Sequence, residues 1–121
     1  MAESRSRPTQ PRLLKMERTE SGYLLHLHVP EDFLYFEGHF PEVPIVPGVC
    51  QLQWVIDAIQ TYTGAPVHLS ALENVKFLRP LFPGQSCMLE LTYSPQPARW
   101  HYRIYTDSHR FASGSLLVKS V

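Results

Sequence analysis

At 121 residues the chain has the length of one ordinary domain, enough to bury a core and too short for two. Its residues are 44% hydrophobic and 18% charged, the composition of a chain that folds rather than a disordered one. Lys and Arg total 11, as do Asp and Glu, so no overall field draws the chain to nucleic acid or to an anionic membrane. Cys50 and Cys87 lack metal-site spacing and are too few for a secreted disulfide scaffold, which leaves reduced, packed thiols. No apolar run approaches the roughly 20 residues that span a bilayer. The opening MAESRSRPTQPR also lacks the apolar core of a signal peptide, so a cytoplasmic location is expected.

Residues 1–12 are polar, carry Pro8 and Pro11, and read as a disordered tail; a single domain over 13–121 is expected to follow. From Leu13 to Val29 two extended runs flank Thr19-Glu20-Ser21-Gly22. Leu25, Leu27 and Val29 alternate there with His26 and His28, which predicts a hairpin with one face in water. Between Glu31 and Pro47 three prolines and five aromatic or imidazole rings favour a shaped loop over helix or strand. Gly48 then opens a run to Thr63 with Val49, Leu52, Val55, Ile56 and Ile59 at helical spacing, closed by Gly64 and Pro66. This predicts one helix, largely buried, whose Gln53, Asp57 and Gln60 share a polar stripe. Four more extended runs follow: Val67 to Leu78, Ser86 to Ser94, Arg99 to Thr106 and Phe111 to Ser120. The fold class is α+β, an antiparallel sheet wrapped around one long central helix.

The segment that carries chemistry is GHFPEVPIVPG, Gly38 to Gly48. His39 is its one side chain able to exchange a proton near neutral pH. Pro41, Pro44 and Pro47 restrict the backbone and hold the loop in one shape. Gly48 opens the helix, where backbone N–H groups have no intrahelical partner and carry the positive end of the dipole. Such groups can polarise a carbonyl as an oxyanion hole does.

GHFPEVPIVPGVCQL resembles the loop and helix start of FabA/FabZ-type 3-hydroxyacyl-(acyl-carrier-protein) dehydratases. NVKFLRPLFPGQ, Asn74 to Gln85, looks like the strand and turn after their central helix. The form PGVCQLQW is similar to the ApeI-like branch of aryl polyene lipid synthesis. The resemblance implies a hotdog fold, dimeric, with strands of two subunits joined and an acyl tunnel at their interface. His39 matches the histidine that removes the proton alpha to a thioester carbonyl, and the N–H groups of Gly48 and Val49 match those that hold that carbonyl. No cofactor is implied, the substrate being carried on the phosphopantetheine of acyl carrier protein, and no metal.

The family's helix acid, which protonates the departing 3-hydroxyl, falls on Gln53, and an amide only hydrogen-bonds at ordinary pH. Three readings stay open. His39 shuttles the proton itself, Asp57 one turn further replaces the acid, or catalysis is lost and the chain is a non-catalytic subunit binding acyl carrier protein or an active dehydratase. A hotdog thioesterase is a minor alternative. Glu37 and Glu42 flank His39 as further candidates. Phe33, Tyr35, Phe36 and Phe40 line the tunnel or form ordinary core, and Phe77 is expected to pack inward as a substrate contact. Lys76, Arg79, Arg99, Arg103 and Arg110 meet the acidic carrier if the fold gathers them. His68, His101 and His109 lack metal spacing, and Cys50 is assigned to packing.

Overall fold

The structure is a computed structural model describing residues 9–32 and 45–119. Strands β1 (Arg12–Thr19) and β2 (Gly22–His28) form the expected hairpin, Thr19 opposite Gly22 across Glu20 and Ser21. Leu25, Leu27 and Val29 are buried. The opposite face of β2 is not simply wet. His26 Nε2 lies 2.8 Å from Glu17 Oε2, and His28 Nδ1 lies 3.0 Å from Ser86 Oγ, both polar ties to neighbouring strands.

Helix α1 (Gly48–Thr63) starts where Pro47, in extended backbone, cannot continue a helix backwards. It stops at Gly64, whose φ of 73° is open to glycine at little cost and whose N–H donates to the Gln60 carbonyl at 2.9 Å. Its buried residues are Gln51, Trp54, Val55 and Ile59, so the apolar stripe drawn from the sequence needs correcting. Val49 is 59% exposed, while Gln51, a polar residue, is 3% exposed. Helical spacing alone cannot distinguish the side facing the sheet from the side facing outward when both carry apolar residues.

Strands β3 (Leu69–Phe77), β4 (Ser86–Pro95), β5 (Ala98–Tyr105) and β6 (Arg110–Val118) complete one antiparallel sheet in the order β1-β2-β4-β5-β6-β3. Consecutive β4, β5 and β6 form a meander. The connection through α1 sends β3 to the far edge, beside β6. Alternate residues Leu89 and Leu91 of β4, Tyr102 and Ile104 of β5, and Leu116 of β6 meet Val55 and Ile59 of α1 in the core.

Edge strand β3 is exposed along nearly its whole length, Leu69 and Leu72 included. Its register with β6 shifts between Glu73 and Lys76, where Asn74 takes a φ of 54°, the mark of a bulge. At the other end of the chain, β1 begins at Arg12, and Thr9 and Gln10 bond to helix side chains. Among the described residues no helix is long and apolar enough to cross a membrane.

Candidate active site

The start of α1 offers two unused donors. Pro47 supplies no side-chain cap, and its carbonyl accepts from Cys50 N–H at 3.0 Å and Gln51 N–H at 3.3 Å. The N–H groups of Gly48 and Val49 have no hydrogen-bond partner among the described residues. No acidic side chain stands in the first turn to compete for them. N–H groups at the positive end of a helix dipole can stabilise an anion.

Phe77 reaches this end of the helix from β3. An added Cβ on Gly48 would stand 2.6 Å from Phe77 Cζ, so the ring lies directly against the glycine and only a hydrogen fits between them. Phe77 is nevertheless 50% exposed, which corrects the expectation that it packs inward. It closes one side of the helix N-terminus. The contact follows from the β3–β6 register, which pairs Phe77 with Ala112, and from Leu78 N–H and Arg79 N–H both donating to the Phe111 carbonyl, at 2.8 and 3.3 Å.

The approach to α1 is tied down by groups the sequence reading passed over. Val46 N–H donates to the Leu81 carbonyl at 2.7 Å, and Gln51 Nε2 donates to the Val46 carbonyl at 3.2 Å. Leu81 is fully buried, and Gln51 Oε1 has no partner among the described residues. The signal available was a glutamine on the inward side of an apolar helix, a costly burial that calls for a polar task.

Gln53 and Asp57 come together on the outer side of α1. Gln53 Nε2 donates to Asp57 Oδ1 at 2.9 Å, and Gln10 Nε2 donates to Asp57 Oδ2 at 2.7 Å. Both carboxylate oxygens of Asp57 are thus engaged by amides, an arrangement that serves to anchor the N-terminal segment. The third member of the stripe, Gln60, accepts from Val67 N–H at 2.9 Å. His39, Phe36 and Phe40, with Phe33, Tyr35, Glu37 and Glu42, lie outside the described residues.

Of the five cations considered for a carrier protein, Lys76, Arg103 and Arg110 share the lining of one cavity of about 210 Å³. Arg103 also pairs with Glu90 at 2.7 Å, whereas Arg99 sits elsewhere, 3.5 Å from Glu73. Burial pushes the Cys87 thiol up to about 12 and raises that of Cys50, so both behave as packed thiols rather than nucleophiles. Among the described residues no three His, Cys, Asp or Glu side chains gather as a metal ion requires.

The family model of the ApeI dehydratase matches residues 15–115. Among curated proteins, the 3-hydroxyacyl-[acyl-carrier-protein] dehydratase FabZ of Brucella ovis is 39% identical over 72 residues, covering 53% of this chain and 46% of the relative. FabZ of Syntrophobacter fumaroxidans is 28% identical over 88 residues, covering 66% and 58%. The matched part thus spans about half the length of these relatives. Among solved structures, a chain of the dehydratase heterocomplex ApeI:P from Xenorhabdus doucetiae aligns with a TM-score of 0.77 at 25% identity, covering 92% of this chain and 99% of that one. An uncharacterised protein from Erwinia carotovora aligns at 0.73 with 27% identity, covering 92% and 97%. Thioesterase superfamily member 2 from Mus musculus, at 0.63 and 14% identity over 88% of this chain and 79% of that one, shares the fold alone. With one helix laid on a six-stranded antiparallel sheet among the described residues, and a family match spanning nearly the whole described chain, this protein has the hotdog fold and belongs to the ApeI-like dehydratase family.

Proposed function

We propose that the protein eliminates water from 3-hydroxyacyl groups carried on acyl carrier protein, giving trans-2-enoyl thioesters for fatty-acid or aryl polyene lipid synthesis in the cytoplasm. The observation that carries this reading is the pair of N–H groups at Gly48 and Val49 that are uncommitted among the described residues, with the Phe77 ring beside them and no side-chain cap from Pro47. A thioester carbonyl placed there accepts both donors, and the negative charge that develops on its oxygen is stabilised without reorganisation. His39 takes the proton from C2, the electron pair of the broken C–H bond forms the C2–C3 double bond, and the 3-hydroxyl leaves with a proton as water.

That last proton is assigned to His39, which acquired one in the first half of the reaction. Gln53 has none to give, and both oxygens of Asp57 face amides. No resident cofactor takes part in this scheme; the substrate arrives on phosphopantetheine. Lys76, Arg103 and Arg110 around one cavity suit the phosphate and acidic surface of such a carrier. The long exposed edge of β3, with Leu69, Leu72 and Phe77 along it, suits continuation of the sheet into a second subunit, as in a homodimer.

A second reading is favoured by Gln53 itself. The chain is then a subunit that works beside another hotdog protein holding the acid, a reading supported by its similarity to a chain of the dehydratase heterocomplex ApeI:P from Xenorhabdus doucetiae. Incubation with a 3-hydroxyacyl-carrier-protein, followed by mass spectrometry, separates these. Loss of water that disappears in His39→Ala supports the first. No mass change in the wild type, with activity appearing in Gln53→Glu, supports the second. Release of free acid identifies a thioesterase and refutes both.

A further inference from the structure

A second cavity lies at the opposite end of α1 from Gly48, about 24 Å along a helix of 16 residues. It is an open cleft of about 490 Å³, within the range of small-molecule sites, and is bounded by the β1–β2 turn, the end of α1 and the inner faces of β4 and β5. Its floor is aromatic. The rings of Tyr23 and Trp100 stack with centroids 6.3 Å apart and planes 20° apart, and Tyr93 leans on Trp100 at 5.1 Å and 55°. Tyr23 is fixed in turn by its hydroxyl, which donates to the Tyr62 carbonyl at 3.2 Å. Tyr93 is 39% exposed and stands at the mouth, while Trp100 is 9% exposed and forms the base.

The rim is charged unevenly. Arg18 and Lys119 line it, beside the His68 ring, against the single carboxylate of Glu20. Neither Arg18 nor Lys119 makes an ion pair among the described residues, although the Arg18 guanidinium lies 5.9 Å above the Tyr23 ring. An aromatic floor selects a flat ring by offset or edge-on stacking, which an alkyl chain does not satisfy as well. Two unpaired cations above it select an anion, and the guanidinium fork matches a carboxylate in two-point contact. Glu20 on the same rim disfavours a dianion such as phosphate.

We propose that this cavity binds a small aromatic carboxylate at a site separate from the helix N-terminus. The ring lies on Trp100 and Tyr93, and the carboxylate points outward between Arg18 and Lys119.

The chain's two tryptophans make the test direct, because Trp54→Phe leaves Trp100 as the sole indole emitter. In that background, 4-hydroxybenzoate is expected to quench Trp100 fluorescence saturably, with weaker binding at raised salt. Arg18→Gln and Lys119→Gln are each expected to reduce the affinity about tenfold, the loss of one charge-assisted contact. Calorimetry on the otherwise native chain should give one site with the same affinity. Octanoate binding as tightly as 4-hydroxybenzoate would overturn the aromatic assignment. Inorganic phosphate displacing the aromatic acid would overturn the carboxylate assignment, and absence of saturable quenching at millimolar ligand would remove the site altogether.

Discussion

Replacing Gly48 with alanine separates the active-site role of the helix N-terminus from its structural role. The new Cβ would meet Phe77 Cζ, Cε1 and Cε2 at 2.6, 2.9 and 3.0 Å, all closer than carbon atoms tolerate. Phe77 is half exposed, so its ring can swing outward and relieve the clash near the low end of the roughly 1–3 kcal/mol that overpacking costs. Alanine in place of glycine returns up to about 1 kcal/mol through helix propensity. The two nearly cancel, and the melting temperature should stay within about 4 °C of wild type. Activity should not be spared. The new methyl group and the shifted ring both change the wall beside the Gly48 and Val49 N–H groups, and spoiling such a donor pair costs on the order of 10²–10³ in rate. The assay is kcat on a 3-hydroxyacyl-carrier-protein beside thermal melting, with Phe77→Ala and the double variant completing a cycle. If the methyl acts through the ring, the double variant matches Phe77→Ala alone. Full activity in Gly48→Ala, or a rate loss matched by a large drop in melting temperature, would refute the reasoning.

Gln53→Glu would place a carboxylate where an amide now sits 2.9 Å from Asp57 Oδ1. Two carboxylates so close share a proton, which supplies a general acid. The variant should gain dehydration rate and lose stability between pH 5 and 8 relative to wild type; denaturant melts across that range check it, and no pH dependence would count against the geometry. Trp54→Phe removes the bond from Trp54 Nε1 to the Thr9 carbonyl, 3.1 Å long, while keeping most of the packing, so urea unfolding should report a loss of about 1 kcal/mol. Glu17 is held below the usual carboxylate range by its hydrogen bond with His26 and then by the Lys15 charge. A depressed carboxylate contributes stability above its unfolded pKa of about 4.3 and loses it as pH falls through the folded value. The urea midpoints of wild type and Glu17→Gln should therefore converge as pH falls below about 4, from a gap present at about pH 5–6; parallel curves throughout would exclude the pairing. Cys87, with its thiol pushed up to about 12, should resist a thiol reagent at pH 8 until the chain is unfolded, as counted by mass.

Much of the architecture was legible because local rules dominate locally. Gly64 had to end the helix, since the backbone there turns left-handed, and Glu20-Ser21 had to be the hairpin turn, lying between two alternating runs. The motif beginning at Gly38 pointed to the helix N-terminus as the place of chemistry, and Gly48 and Phe77, 29 positions apart, do meet there. Other residues were misjudged because their surroundings come from distant parts of the chain. Val49 fits an apolar stripe by spacing yet faces outward, and Gln51, omitted from the candidates, is buried and pins the segment entering the helix.

The sequence by itself determined the elements and the points where the helix starts and stops, and its resemblance to the dehydratases set Gln53 against their helix acid. These depend on backbone preferences and residue chemistry within a few neighbours. Only the tertiary structure decided that β3 crosses to pair with β6 rather than with its neighbour β4, which brings Phe77 onto Gly48. It also decided that Asp57 is held by Gln10 and Gln53, and that Tyr23, Tyr93 and Trp100 share the floor of one cavity. Such contacts join positions tens of residues apart, and no local propensity encodes them; they exist only once strand pairing has fixed which distant residues face each other.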